Sequence, residues 1–526
     1  MEDIVSSSNP VSCSEKREVP ATGGPRWAQG TAEAPESFEE WLVSGGDERI
    51  AVDPTSKRNR YGTPSGKACG ETWFSSSTAA AISPRGYDAA FSAYRDLANA
   101  SEGLSVSAWL DRVRARLTAV FGIPGSEVIL SGSGTELELL ALCLAQSVLP
   151  QPLTNLLVAP GETGRGVLLA ASGRHFLDST AFREKVEQAV SIEGFGDELS
   201  TEAVEIRDAH GQALTLDRID EEVTRAVEIG VANGRSVLIH LLDCSKTGRS
   251  GPRRSTAMAL AKQYSGRVLV VVDACQLRCS PGQIREDLRA GFMVMITGSK
   301  FAGGPPFAGA ILVPPAIVEG LDVLELPPGL AAYTAAGDWS ATLRRKIGQP
   351  FAAPHNIGAG LRWEAALAEL ERLFALPVEF RDAVAGEFAN TVRQCVSARQ
   401  FLALIDNVSP SEGYETSRTI HPIVTLAGNN TDLPSEAIHH QLRMPLSHGG
   451  ARGASKSIFH VGQPVRVGRR SVLRVCLSAT HIVDVAENLA SGKPFKAAIA
   501  PLLDDIEGLF LKWARVADEL GRHCSG

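Results

Sequence analysis

The strongest constraint on the fold of this chain is a series of short, unbroken apolar runs separated by helical pattern. Glu127–Leu130, Leu156–Ala159, Val237–Leu242, Arg267–Val272, Met293–Ile296 and Ala310–Val313 are rich in β-branched residues and show little polar alternation. A strand with one wet face alternates, whereas a strand covered on both faces does not. Between these runs lie segments such as Val106–Phe121, with Trp109, Val113, Leu117 and Val120 at helical spacing, and the apolar stretch Glu136–Leu149. The alternation predicts an α/β fold built on a large, mostly parallel sheet with helices on both faces. A long helix is expected to start near Asn356 and to include Leu361–Leu370. Beyond it the pattern becomes that of a smaller α+β domain, with strands at Thr419–Leu426 and Ser471–Leu477 and a last helix running from Phe495 towards Leu520. The chain therefore divides into a flexible arm (1–50), a large domain with its N-terminal loop segment (51–345) and a small C-terminal domain (346–526).

Composition narrows the function classes. The 526 residues are 44% hydrophobic and 21% charged, which suits an ordinary globular protein with a large core. A formal charge of −8 gives no basic footprint for a nucleic-acid partner. The nine cysteines are odd in number and form no CxxC pairs, so neither a disulfide framework nor a metal site is expected. Reduced thiols fit a cytoplasmic protein. The opening Met-Glu-Asp-Ile is unlike a secretory signal, and no apolar run is long enough to cross a bilayer. Residues 1–50 are rich in Ser, Pro, Gly and Glu and read as a flexible arm, with one amphipathic piece at Phe38–Leu42. Residues 51–84 read as an ordered loop leading into the first helix.

Ligands of an open parallel sheet bind at the carboxyl ends of its strands. Asp273-Ala274-Cys275-Gln276 follows one strand, and Thr297-Gly298-Ser299-Lys300 follows the next, placing a lysine 27 residues after an acid, one strand–helix–strand step. Ser133-Gly134-Thr135 follows the first strand and opens a helix, whose free N–H groups and dipole suit a phosphate. Taken singly, each piece has a plain structural reading: a turn aspartate, a surface lysine, a loop. In this order and context they match what pyridoxal 5′-phosphate requires: an amine for its aldehyde, a carboxylate for its pyridine nitrogen and a dipole-rich turn for its phosphate.

On these residues the chain resembles the fold-type I pyridoxal-phosphate enzymes, and within them the aminotransferase class V family, which includes cysteine desulfurases and kynureninases. The resemblance spans roughly residues 85–490. It implies a seven-stranded-type sheet domain, a Lys300 Schiff base, Asp273 and Gln276 on the cofactor ring, and Thr297 and Ser299 on its phosphate. Gly134 and Thr135 match the family's phosphate turn. Arg474, in Leu473-Arg474-Val475, matches the arginine that grips a substrate carboxylate, with Arg466 as a competitor. The resemblance further implies an amino-acid substrate and a homodimer, with Gly303-Gly304 where a neighbouring chain approaches.

The match departs from the family at two places. The stretch Pro160–Gly166 has no aromatic or histidine to stack on the ring, and Thr163 falls near that position. The stretch from Leu446 to Gly462 holds no cysteine, which disfavours thiol attack from a mobile loop there. Relatives place an asparagine near the ring hydroxyl where this chain has Asp243-Cys244-Ser245, so Ser245 or Asp243 is expected to replace it. The first reading is an aminotransferase-type transferase. A lyase on the same scaffold and a non-catalytic regulator of this fold stand as alternatives.

Overall fold

The computed structural model describes residues 35–68, 70–76, 80–99, 105–196, 198–405, 419–427, 432–445 and 458–524. The strands, in chain order, are β1 (Glu71–Phe74), β2 (Glu127–Ser131), β3 (Leu153–Val158), β4 (Leu199–Val204), β5 (Ser236–Leu242), β6 (Val268–Ala274), β7 (Met293–Thr297), β8 (Gly309–Val313), β9 (Leu402–Leu404), β10 (Ile420–Thr425), β11 (Ile458–Val467) and β12 (Arg470–Cys476). Seven of them form one sheet in the order β2-β8-β7-β6-β5-β3-β4. Strand β8 runs antiparallel to both of its neighbours, and the other pairs are parallel.

The apolar runs are continuous because both faces of the sheet are covered. Val294 and Ile296 of β7 join one core cluster, and Met293 and Met295 of the same strand join the other. The first face is packed by helices Val106–Phe121, Leu216–Ala232, Arg254–Gln263, Pro281–Arg289 and Ile357–Ala375. The second is packed chiefly by Gly134–Val148, whose residues from Thr135 to Ala145 are all buried. At about 25 cal/mol per Å² of apolar surface, these two interfaces supply the main driving force for the large sheet. Trp363 ties helix Ile357–Ala375 to β8 by donating its indole N–H to the Gly309 carbonyl at 2.9 Å.

The second sheet has the order β1-β11-β12-β10-β9. Its core gathers Phe388, Ile423, Phe459, Leu473, Phe510 and Trp513, the last two from the C-terminal helix Phe495–Cys524. Strand β1 pairs parallel with β11, so Glu71 faces Ile458 and Phe74 faces Val461. The stretch 51–84, read as loop, thus contributes an edge strand to the distant small sheet.

One expectation needs correction. Within the arm assigned to 1–50, residues 35–50 are folded onto the large domain: Phe38, Trp41, Leu42 and Ile50 are buried. The cause lies in Arg362, fully buried in the helix Ile357–Ala375. It donates to the carbonyls of Phe307 (2.5 Å), Leu42 (2.9 Å), Ser44 (2.6 Å) and Gly45 (3.0 Å), pinning the segment down. Residues 1–34 of that arm lie outside the described residues, as does most of the stretch 446–462. Gly303 and Gly304 are closely packed within the chain. A Cβ on Gly303 would meet Thr480 Oγ1 at 2.1 Å, and one on Gly304 would meet the Gly298 carbonyl at 2.7 Å.

Candidate functional site

The carboxyl ends of β2, β3, β5, β6 and β7 lie along one edge of the large sheet, facing β11 and β12 of the small one. Between them lies a cavity of about 550 Å³. Gly134, Thr135, Thr163, Asp273, Gln276, Thr297, Ser299, Lys300 and Arg474 all line it. One expected residue, Ser245, does not.

The turn after β2 is set by Ser133, which caps the helix by accepting from the Glu136 N–H at 3.3 Å. Gly134 is needed here because the turn presses against the ends of β6 and β7. A Cβ would lie 3.1 Å from Cys275 Sγ and 3.4 Å from Thr297 Cγ2. Glu136 is buried beneath the turn, bonded by the Ser131 hydroxyl at 3.2 Å, and burial together with the Asp47 charge pushes its carboxyl up to about 8.

At the end of β6, Asp273 accepts from the Cys275 N–H at 3.0 Å, which fixes the carboxylate at the cavity floor. Behind it, Glu138 is held well above the usual carboxylate range by burial and by the Asp273 charge. His240, 3.2 Å from Glu138, is pulled down to about 3 by burial and is neutral. Asp273 thus sits above two neutral groups rather than beside a competing ion pair. Gln276 is buried, and its Oε1 has no partner among the described residues. Thr297 donates its hydroxyl to the Cys275 carbonyl at 2.6 Å, which clamps the ends of β6 and β7 together and leaves the threonine oxygen only as an acceptor. Cys244 and Cys275 also face the cavity, and burial pushes both thiols up, so neither is a thiolate.

Arg474 of β12 is 1% exposed. Its Nη2 donates to the Gln463 carbonyl at 3.2 Å, and its Nε has no partner among the described residues. A guanidinium this deep without a carboxylate is a poised anion receptor. Burial pulls its pKa below the arginine norm, with Arg278 adding to the effect. Arg466 is exposed, does not line the cavity and, among the described residues, reaches only the Gly468 carbonyl, at 3.4 Å.

Ser245 is fully buried behind the cavity wall. Its hydroxyl donates to Glu162 Oε2 at 2.9 Å and lies 3.1 Å from Thr247 Oγ1. Glu162 also takes the Arg207 guanidinium, which closes that network. After β5 the chain alternates, so Ser245 and Thr247 point to Glu162 while Cys244 and Lys246 face the cavity. Asp243, the other possibility at this position, pairs with Arg254 at 2.6 Å.

Sequence reasoning missed Arg49, which reaches the cavity from the segment pinned by Arg362. Its Nη2 lies 3.2 Å from Ser133 Oγ and its Nη1 lies 3.4 Å from Thr135 Oγ1, on the same turn as Gly134. Asp47 holds it at 2.6 Å, and the rings of Phe176 and Phe307 flank it at 5.5 and 5.0 Å. Although burial opposes it, the Asp47 carboxylate raises the arginine's proton affinity, so the group is a permanent cation. The signal was available indirectly: an arginine flanked by Leu361 and Trp363 on a face that is buried must find partners elsewhere in the chain.

No family model matches the chain, and no curated protein matches it. Solved structures do. An alanine–glyoxylate aminotransferase from Nostoc sp. superposes with a TM-score of 0.51 at 14% identity, over 84% of this chain and 96% of that one. A NifS-like protein from Rickettsia africae gives 0.52 at 12% identity, over 85% and 99% of the two chains. The cystine C–S lyase C-DES gives 0.52 at 13% identity, over 84% and 98%. With β8 as the one antiparallel strand of the seven-stranded sheet and a small domain closing its carboxyl edge, the chain shares the fold of these structures, that of the fold-type I pyridoxal-phosphate enzymes.

Proposed function

We propose that this chain is a pyridoxal-phosphate-dependent enzyme acting on an amino acid, with Lys300 as the residue that holds the cofactor. One observation carries the reading. Asp273 and Lys300 line the same cavity as two buried polar atoms that have no partner among the described residues, Gln276 Oε1 and Arg474 Nε. Leaving such atoms unpaired costs about 1–3 kcal/mol each, and a ligand that offers a hydroxyl donor to Gln276 Oε1 and an anionic acceptor to Arg474 Nε removes that cost. The similar structure C-DES has been seen with glycine linked to a pyridoxal-phosphate cofactor.

The residues fit the group. Ser133, Gly134 and Thr135 with Arg49 offer a cationic, N–H-rich cradle for its phosphate. Asp273 suits its ring nitrogen and Gln276 its ring hydroxyl. When bound, the cofactor supplies an aldehyde and an electron-accepting ring. The Asp273 carboxylate keeps a proton on the ring nitrogen. Arg474 orients the substrate carboxylate in two-point fashion. The Lys300 amine takes and returns the proton at the substrate α-carbon. Ser299 lies one residue before it at the cavity wall, and Thr163 leaves one side of the cavity without a ring.

Transamination is the first reading, and elimination or side-chain cleavage the second, since both need the same groups. Absorbance spectra of the purified protein before and after single amino acids test this. A visible imine band that Lys300→Ala abolishes supports the cofactor reading, and the lack of any band after cofactor addition overturns it. Conversion to the amine form of the cofactor marks a transferase, whereas return of the original band with release of a keto acid and ammonia marks a lyase.

A further inference from the structure

The cavity holds more positive charge than a cofactor and one α-carboxylate take up. Arg49 faces the turn at Ser133–Thr135, and Arg474 waits at the opposite wall. Besides Lys300 and Arg60, which pairs with Glu48 at 2.5 Å, three more cations line the same space: Arg165, Lys246 and Arg443. Among the described residues none of these three forms an ion pair. Arg443 is half-buried and donates only to backbone carbonyls, Tyr61 at 2.9 Å and His439 at 3.3 Å. Glu162, the carboxylate that acts on Lys246, is already bonded to Arg207, Ser245 and Thr247. The acids of the cavity do not balance these charges. Asp273 and the protonated Glu138 lie at the floor, and Glu436 is exposed at the rim.

Lys246 is the centre of this excess. It lies four residues beyond the end of β5, is half-buried, and lies within electrostatic reach of Arg474, Lys300 and Arg165. Together with burial, those cations pull its ammonium down to about 7. Like charges gathered in a poorly solvated space repel one another, and an anion placed among them relieves that repulsion. With the α-carboxylate given to Arg474, a second anionic group is required to satisfy Lys246 and Arg165.

We propose that the substrate amino acid carries a second anionic group on its side chain, a carboxylate or an isosteric sulfinate, and that Lys246, supported by Arg165, receives it. This rests on the reading above in that Arg474 takes the α-carboxylate. Lys246 is then a specificity-determining residue. An amide in place of the side-chain anion leaves the ammonium unpaired and loses the charge-assisted bond.

The test compares acid and amide pairs on the cofactor-loaded protein. L-glutamate is set against L-glutamine, and L-aspartate and L-cysteine sulfinate against L-asparagine, by spectral titration. Glutarate is set against its monoamide by calorimetry, which needs no turnover. At least one acid is expected to half-saturate at a concentration tenfold or more below its amide, and glutarate to bind more tightly than the monoamide. Lys246→Met should bring each pair within about twofold, while Lys246→Arg keeps the preference for the acid. Equal affinities in the parent protein overturn the proposal, as does a tenfold preference that survives Lys246→Met. The two readings fail separately: loss of the visible band with glutarate preference intact removes the cofactor assignment, and a normal band without acid preference removes this one.

Discussion

Arg362→Met tests how the site is assembled. The substitution keeps the length of the side chain and removes a fully buried guanidinium with four hydrogen bonds to backbone carbonyls. At a net value of about 1 kcal/mol per bond, the upper figure is about 4 kcal/mol. Ser44 and Gly45 are only half-buried, so their carbonyls can rehydrate when the segment shifts, and the lower figure is about 2 kcal/mol. Urea unfolding followed by tryptophan fluorescence should register a loss in that range. The same segment carries Asp47 and Arg49 a few residues beyond the pin, so affinity for inorganic phosphate and for pyridoxal phosphate should fall about tenfold, equivalent to about 1.4 kcal/mol. Stability equal to that of the parent would show that the buried bonds count for nothing net. A destabilised variant with unchanged phosphate affinity would show that Arg49 holds its place without the pin, and the assembly argument would fail.

Three further outcomes are expected. Arg49→Met should weaken cofactor binding by about ten- to a hundredfold in equilibrium dialysis, the range for one charge-assisted contact of about 1.5–3 kcal/mol; an unchanged dissociation constant would remove Arg49 from the phosphate cradle. Glu138→Gln should change unfolding free energy by less than about 1 kcal/mol at neutral pH, because a carboxyl held protonated by burial and by Asp273 resembles an amide; a loss above about 2 kcal/mol would mean that Glu138 is ionised. The preference for a dianionic substrate should fade as pH rises through about 7, where Lys246 loses its proton. Since the free lysine is neutral above that point, binding an anion there draws in a proton, and affinity should drop by up to tenfold per pH unit. Calorimetry in buffers of different ionisation enthalpy would detect the proton, and a preference flat across that range would contradict the assignment.

How much of this was legible in the sequence depends on where each residue's partners lie. The interior strands β5, β6 and β7 could be read because burial on both faces leaves unbroken apolar runs. The edge strand β4 could not: Ser200, Thr201 and Glu202 sit in its middle, and its burial is partial. Asp273 and Lys300 were recoverable because one strand–helix–strand step carries both to the same edge, a relation set by local chain geometry. Ser245 was misplaced because the chain turns after β5 and a shift of one residue exchanges the inward and outward sets. Lys246 therefore occupies the position facing the cavity. Arg49 was hidden for a different reason. Its surroundings are polar in composition, and what orders them is a guanidinium 318 residues from Ser44. Periodicity carries no record of such a contact.

Strand β1 has a consequence for the order in which the molecule can be completed. Glu71 bonds His460 across 389 residues, so the edge of the small sheet is fixed only when nearly the whole polypeptide exists. During synthesis Glu71–Phe74 emerges early, before any strand it can pair with, while the large sheet between the two partners can already form. Contacts of such sequence separation close slowly, and an unpaired apolar edge in the interval is open to other chains. The early strand acts as a latch that the late one closes. Truncations that remove β11 should therefore leave a folded large domain with an exposed Trp73-Phe74 edge prone to aggregation.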